Sequence, residues 1–141
     1  MRIAVLSGKG GTGKTLLAVN LTNIIQDSVF LDCDVEEPNG VFYFKGNPLT
    51  EEVNQLVPKI DHQKCQLCDE CVNFCRFNAL IHFIDKIRLL PNLCHACGGC
   101  KLVCPHQAIT EVDELIGWIH YKSNQGHDIY GGELRVGKET G

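Results

Sequence analysis

Residues 8–15 read Gly8-Lys9-Gly10-Gly11-Thr12-Gly13-Lys14-Thr15, which matches the pattern G-x-x-x-x-G-K-[ST] at every fixed position. The short apolar run 2–6 precedes this loop, and apolar residues at helical spacing follow it over residues 15–26. The pattern predicts a buried strand, a glycine-rich loop and a helix. In such a loop, successive backbone N–H groups point at phosphate oxygens, and the helix N-terminus adds a favourable partial positive charge.

The ligand predicted for this loop is ATP or ADP with Mg²⁺. Lys14 is expected to reach the β and γ phosphates, and the hydroxyl of Thr15 is expected to bind Mg²⁺. The residues expected to hold the nucleotide are Gly8, Gly10, Gly11, Thr12, Gly13, Lys14 and Thr15. The alternative is a glycine-rich turn between a strand and a helix that binds nothing.

A second apolar run, Val29-Phe30-Leu31, predicts another buried strand, so that this region forms a strand-loop-helix-strand unit with parallel strands. Asp32 and Asp34 follow the run. Because residues two apart on a strand point the same way, both carboxylates are expected to face the phosphate site. Their alternative role is to cap the end of the strand.

Eight of the nine cysteines lie in two runs with the same spacing, C-x₂-C-x₂-C-x₃-C. This spacing is typical of bacterial ferredoxins, in which three close cysteines bind one 4Fe-4S cluster and the fourth ligates the other cluster. Two 4Fe-4S clusters are therefore predicted. The first would be bound by Cys65, Cys68, Cys71 and Cys104, and the second by Cys94, Cys97, Cys100 and Cys75.

Other uses of cysteine remain open. Four-cysteine zinc sites also use C-x₂-C pairs, and a cysteine-rich secreted protein would form disulfides. The run before the glycine-rich loop is too short for a signal-peptide core, which favours the cytoplasm, where thiols stay reduced. The first run also departs from the ferredoxin pattern, because Arg76 stands where Pro105 follows the second run.

The composition narrows the range of functions. A formal net charge of −4 provides no basic field for a nucleic acid, so none is expected as a partner. No apolar run approaches the length of a membrane span. Apolar residues make up 44% of the 141-residue chain, which is enough for a packed core.

Three segments are predicted along the chain. Residues 1–60 form the nucleotide-binding unit, although residues 45–61 show little periodicity. Residues 61–110 form a ferredoxin-like insert in which each cysteine run is a cluster loop followed by a short helix. Residues 111–141 return as strands, because residues 114–121 partly alternate between apolar and polar and a turn signal follows at residues 124–126.

Lys9, a second lysine inside the loop, resembles the deviant Walker A motif of the MinD, ParA and nitrogenase iron-protein superfamily. The resemblance implies that Lys9 contacts the nucleotide bound to the partner subunit of an ATP-sandwiched homodimer. It also implies that Asp34 lies in a switch region and orients the attacking water or a Mg²⁺ ligand. Lys9, Lys14 and Asp34 are then the catalytic candidates.

The whole pattern resembles the MinD-superfamily P-loop ATPases that carry an inserted ferredoxin domain, including the stretches 32–39 and 131–137. The implied fold is α/β, a partial P-loop NTPase parallel sheet with an inserted α+β ferredoxin-like two-cluster domain. The resemblance covers only the first half of such a protein. Asp113 is a poor candidate for the Walker B aspartate, so hydrolysis by this chain alone is expected to be weak or absent.

The resemblance implies an ATPase that couples nucleotide state to electron transfer or to iron-sulfur cluster delivery, with an unidentified redox or acceptor protein as partner. Two other classes of function stay open. One is a non-enzymatic electron carrier with a regulatory nucleotide site, and the other is an iron-sulfur scaffold that passes on its clusters.

Overall fold

The helix predicted after the glycine-rich loop is present as α1 (Lys14–Ile24), and the strand predicted after it is present as β1 (Val29–Asp32) in this computed structural model, which describes residues 1–137. The apolar face of α1 differs from the prediction. Leu17 and Ile24 are 54% and 77% exposed, and the buried positions are Val19 and Thr22.

The strand predicted over residues 2–6 is wrong. These residues have no regular secondary structure, and Ile3 and Leu6 are 53% and 88% exposed. A strand forms only when its N–H and C=O groups find partners on a neighbouring strand. Within residues 1–137, β1 is an edge strand bonded only to the strand His127–Leu134, and no strand pairs with residues 2–6. An apolar run is therefore not enough to form a strand here, because no neighbouring strand of the described residues pairs with it.

A four-stranded sheet runs in the order β1-β6-β5-β2, where β2 is Leu49–Ile60, β5 is Ile109–Asn124 and β6 is His127–Leu134. Strand β1 is parallel to β6, whereas β5 and β6 form an antiparallel hairpin. The fold is thus mixed α/β with a parallel pair, and the expectation of a parallel sheet holds for that pair alone. The hairpin agrees with the turn predicted at residues 124–126 and with the strand predicted before it. Its second strand, however, begins earlier than the partner strand expected at residues 133–136, and β2 lies where no strand was predicted.

One compact unit consists of Met1–Val53 and Gly117–Arg135. Its core surrounds Ile129, which is completely buried on β6 among Val19, Phe30, Val41 and Phe44. The last two come from the segment that follows β1, which contains the 3₁₀ helix Gly40–Tyr43. The core therefore packs α1 and this segment on one face of the sheet.

The other unit consists of Asn54–Ile116 together with Val136 and Gly137 of the described residues. It contains α2 (Glu70–Phe74), the hairpin of β3 (Leu80–Phe83) and β4 (Lys86–Leu89), the 3₁₀ helix Pro91–Leu93 and α3 (Gly99–Val103). The two short helices follow the two cysteine loops, as predicted. The core of this unit consists of Cys71, Leu80, Ile87 and Ile109.

The two cysteine runs are also repeats in three dimensions. An interval of 29 residues separates Cys65 from Cys94, and the same interval relates α2 to α3. Each loop adopts the left-handed conformation at matching positions, which are Leu67, Asp69 and Asn78 in the first repeat and Ala96, Gly98 and Gln107 in the second. Because L-residues rarely adopt this conformation, its recurrence shows that the two loops share one backbone path.

The limits of the units differ from those of the predicted segments. The compact units divide at 53/54 and 116/117, inside β2 and β5, whereas the predicted segments divide at 60/61 and 110/111. Residues 138–141 of the predicted third segment lie outside the described residues.

Candidate functional site

The glycine-rich loop is closed by hydrogen bonds among its own residues. The Thr12 hydroxyl donates to the Ser7 hydroxyl at 2.7 Å, and the Ser7 hydroxyl donates to the Lys9 carbonyl at 2.8 Å. The Lys14 ammonium lies 3.4 Å from the same carbonyl. The Lys14 ammonium therefore lies beside the backbone of Lys9, and the two lysines are close together in the folded loop.

The end of this loop is suited to an anion. Gly11 and Gly13 have φ angles of +70° and +83°, which favour glycine, and Gly13 leads directly into α1. No side chain caps the N-terminus of α1, and no acidic residue lies in its first turn. Its first N–H groups and the positive end of the helix dipole are thus available to a phosphate.

The carboxylate of Asp32 accepts hydrogen bonds from the backbone of the turn that follows β1. Its Oδ2 accepts hydrogen bonds from the backbone N–H groups of Gly40 at 2.6 Å and Asn39 at 3.2 Å, and its Oδ1 accepts one from Asp34 at 3.1 Å. The carboxylate therefore holds the turn after β1, and the alternative that it caps the strand end is the one that this geometry supports. The Asp34 side chain is exposed, and the turn held by Asp32 fixes the backbone that carries it.

Four thiols of the cysteine unit line one small cavity, which we call the first thiol site. They are Cys65, Cys68, Cys71 and Cys104. Three come from the first repeat and the fourth from the second, while Cys75, the fourth cysteine of the first repeat, is not among the lining residues. The remaining wall includes the apolar side chains of Ile60, Ile87 and Ile109.

Cys71, the buried thiol of this cavity, lies in an environment that disfavours its ionised form. Burial, together with the nearby thiols of Cys104 and Cys65, raises the pKa of the Cys71 thiol to about 11. A bound cation would reverse this effect, because a metal stabilises coordinating thiolates. The backbone N–H of Ala108 already donates to the Cys104 sulfur at 3.3 Å. These thiols are therefore of the kind that a metal would bind as thiolates.

In the second repeat, Cys94, Cys97 and Cys100 form a matching group, which with the predicted ligand Cys75 we call the second thiol site. Burial raises the pKa of the Cys100 thiol, with further contributions from Cys94 and Cys97 and an opposing one from the backbone N–H of Lys101. All nine cysteines fall within the described residues, and all are free thiols.

No group of three or more Cys, His, Asp or Glu side chains in residues 1–137 converges closely enough to hold a single metal ion. A 4Fe-4S cluster has a different requirement, because four cysteines bind four irons and need not meet at one point. The thiols around the first cavity are compatible with that requirement.

Sequence reasoning also missed a pair beside the first thiol site. Asp69 lines the cavity, and the His82 Nδ1 lies 2.8 Å from its Oδ1 and 3.0 Å from its Oδ2. The hydrogen bond is formed with Oδ2. The buried Oδ1 accepts no hydrogen bond from the described residues. An alignment of the two cysteine repeats could have drawn attention to Asp69, because the matching residue in the second repeat is Gly98.

Comparison with known proteins identifies the class of the nucleotide loop. Residues 3–129 match the CbiA family model, described as the CobQ/CobB/MinD/ParA nucleotide binding domain, and the chain belongs to that family. The resemblance to the MinD and ParA proteins is confirmed at this level. The inserted ferredoxin-like domain and its clusters stay predictions.

Two relatives come from Methanocaldococcus jannaschii and carry the names Uncharacterized protein MJ0578 and Uncharacterized protein MJ0579. They are 35% and 33% identical to this chain over 98% of its length. The chain spans 50% and 51% of their lengths, or about half of each. A shorter match, 40% identical over 47 residues, joins 33% of this chain to 8% of indolepyruvate oxidoreductase subunit IorA of Archaeoglobus fulgidus.

Within the described residues, no helix is both long and apolar enough to cross a membrane.

Proposed function

We propose that this chain is the nucleotide- and cluster-binding part of a P-loop ATPase that couples its nucleotide state to electron transfer or cluster delivery through two 4Fe-4S clusters. The observation that carries the proposal is the presence, in one chain of the MinD/ParA type, of an uncapped phosphate loop and a cavity lined by four thiols. The partial match to an oxidoreductase subunit also favours a redox role.

Two glycines support the nucleotide part of the proposal. Gly8 and Gly10 lack the positive φ that favours glycine, and a Cβ added at either would meet no atom within 4 Å. Neither backbone conformation nor packing explains glycine at these positions. A phosphate group that must approach the backbone closely would explain it.

The residues have distinct roles in this proposal. Backbone N–H groups of the loop and the first turn of α1 hold the phosphates, the Lys14 ammonium neutralises the β and γ oxygens, and the Thr15 hydroxyl holds Mg²⁺. Asp34 orients the water that attacks the γ phosphorus, yielding ADP and inorganic phosphate. Lys9 acts on the nucleotide of the partner subunit in a homodimer.

The thiol sites supply the redox part. When bound, the clusters would supply one-electron transfer between a protein reductant and an acceptor protein, with the cysteine thiolates of the two sites holding them. The thiolates bind the irons, and the apolar walls of the first site limit access of water. We place the protein in the cytoplasm in this proposal, because reduced thiols are needed to bind the irons.

The first test is the composition of protein purified without oxygen. About eight irons and eight sulfides per chain, together with bound ATP or ADP, are expected. Zinc in place of iron, or disulfides between the repeats, would contradict the cluster part. Failure to bind nucleotide in the presence of Mg²⁺ would contradict the ATPase part.

The second test is single-turnover ATP hydrolysis, measured with oxidised and with dithionite-reduced clusters. The proposal expects the rate to depend on the redox state, and hydrolysis by this chain alone to be slow. Nucleotide binding with no hydrolysis in either state, even when the remainder of a full-length relative is supplied, would favour the electron carrier. Transfer of labelled iron to an apo-protein would favour the scaffold.

A further inference from the structure

The two thiol sites carry different charges on otherwise matching loops. At positions related by the 29-residue interval, Asp69 corresponds to Gly98 and Glu70 to Gly99. The matching left-handed backbone at Asp69 and Gly98 shows that the difference lies in the side chains. The first loop therefore presents two carboxylates where the second presents none.

Asp69 and Glu70 are both among the residues that line the first thiol site. Asp69 is held in place by His82, and its Oδ1 is buried and accepts no hydrogen bond from the described part of the chain. The Asp69 side chain is 38% exposed, but its buried Oδ1 is screened less by solvent and salt than the oxygens of a fully exposed carboxylate. Asp69 should therefore act on a bound cluster more strongly than Glu70, which is exposed.

The second thiol site has no room for the same pair. A Cβ added to Gly99 would collide with the Phe74 ring, so the helix start at this position excludes a carboxylate side chain. Lys101 in this loop is paired with Glu111 at 2.7 Å, so those two charges offset each other. Arg76, which follows Cys75, then adds a positive charge beside the predicted fourth ligand of this site.

We infer that the two sites hold their clusters at different reduction potentials, with the first site lower because of Asp69 and Glu70. Reduction adds one negative charge to a cluster, and neighbouring carboxylates disfavour that charge. The first electron delivered to the protein should therefore be held at the second site. This inference rests on the proposed function, since it requires both clusters.

The difference gives the chain a direction for electron flow. An electron that enters through the first site moves to the second with a gain in stability, and one electron leaves the first cluster for each one gained by the second. No bond is made or broken in this exchange. The site for a strong reductant is then the first, and the site that supplies the acceptor is the second.

The experiment uses the whole chain, reconstituted without oxygen with iron and sulfide, in two variants that keep one cluster each. Cys97→Ser retains the first site and Cys68→Ser the second, and these cysteines are exposed equivalents in the two repeats. Each cluster is titrated with dithionite and followed by electron paramagnetic resonance. The first site should require a lower potential, by at least about tenfold in the reduction equilibrium, or about 59 mV for one electron.

Asp69→Asn should then shift the first site to higher potential and leave the second unchanged. Glu70→Gln provides a second, smaller shift in the same direction if Asp69→Asn impairs folding. Asp113→Asn is the matched control, because it removes an exposed carboxylate of the same unit that does not line the cavity. It should alter neither potential.

The outcomes separate this inference from the proposed function. Two clusters with equal potentials, or a lower potential at the second site, would overturn the inference and leave the proposed function standing. Two sites whose difference survives both Asp69→Asn and Glu70→Gln would refute the assignment to these carboxylates. A wild-type chain that binds no clusters would overturn the proposed function, and the inference with it.

Discussion

The two units differ in how the segments that carry their motifs are supported. In the cysteine unit, both cysteine loops pack on a shared core in which Leu80 and Ile87 are each 1% exposed. The nucleotide unit has a core of its own around the completely buried Ile129, but Leu6, just before the phosphate loop, is 88% exposed. Within residues 1–137, the segment that leads into the phosphate loop pairs with no strand, whereas the cysteine loops lie against their own core.

The comparison shows that a binding loop can form without the secondary structure that is expected beside it. The phosphate loop forms a closed hydrogen-bonded turn although the strand expected before it is absent. The cysteine loops, in contrast, are each followed by a helix and share one core. Ligand binding by the two units should consequently respond differently to substitution, and the variants below test this from the largest expected effect to the smallest.

The largest effect is expected at the crossed cysteines. Cys104→Ala should remove the cluster of the first thiol site and Cys75→Ala the cluster of the second, so that iron falls from about eight to about four per chain in each variant. The magnetic spectra of the two variants should show complementary remaining clusters. Cys33→Ala, at the cysteine outside both repeats, is the control and should leave the iron content unchanged.

The crossed assignment would be wrong if Cys104→Ala damaged the cluster bound by Cys94, Cys97 and Cys100. Because Cys104 lines the first cavity and Cys75 does not, the structure makes this outcome a direct contradiction of the proposed ligand set.

The next effect is expected in the phosphate loop. Lys14→Ala should weaken binding of ATP with Mg²⁺ by at least about 100-fold, since two charge-assisted hydrogen bonds to phosphate contribute about 3 kcal/mol or more. Calorimetric titration measures this loss. Lys9→Ala should leave binding by the isolated subunit within a few-fold of wild type and instead reduce nucleotide-dependent dimerisation.

An equal loss of affinity in both lysine variants would argue that Lys9 contacts the nucleotide of its own subunit. Unchanged affinity in Lys14→Ala would leave the glycine-rich turn without a nucleotide role.

The sequence predicted the elements whose signals are local. The phosphate loop motif and the helix after it depend on residues close together in the chain, and both are present. The hairpin of β5 and β6 was predicted from alternation and a turn at Gln125 and Gly126, both of which have positive φ. Elements of this kind can be predicted without knowing which distant residues contact them.

Features that depend on distant partners were not predictable. The apolar run 2–6 matches a buried strand, but pairing depends on a neighbour that the run does not specify. Strand β2 begins with four exposed residues and lacks alternation there, so its place beside β5 is set by pairing. Asp32 was given two roles, facing the phosphate site or capping the strand end, but the pattern did not name the residues whose N–H groups donate to it, which lie up to eight residues further along the chain.

A pair of glycines separates folding from ligand binding. Gly40→Ala should lower the free energy of unfolding by about 1–3 kcal/mol, because a Cβ there would lie 2.7 Å from Asp32 Oδ2 and from the Phe30 ring. Gly10→Ala meets open space and should change stability by less than about 0.5 kcal/mol, yet weaken nucleotide binding. Urea unfolding and nucleotide titration on both variants measure the contrast. Equal effects on stability would show that the loop is packed in solution.

The smallest effect concerns a buried lysine that holds the segment after the 3₁₀ helix of the nucleotide unit. The Lys122 side chain is 7% exposed, and its ammonium donates to the carbonyls of Phe44 at 2.6 Å and Gly46 at 3.0 Å. Lys122→Met keeps most of the buried stem but removes both donors. The free energy of unfolding should fall by about 1–2 kcal/mol, because two carbonyls lose their partner while burial of the stem is retained.

Lys45→Met, at an exposed lysine, is the control and should change the free energy of unfolding by less than about 0.5 kcal/mol in the same urea experiment. A stabilised Lys122→Met variant would mean that burying the ammonium costs more than its two hydrogen bonds return, and Lys122 would then no longer count among the residues that stabilise the nucleotide unit.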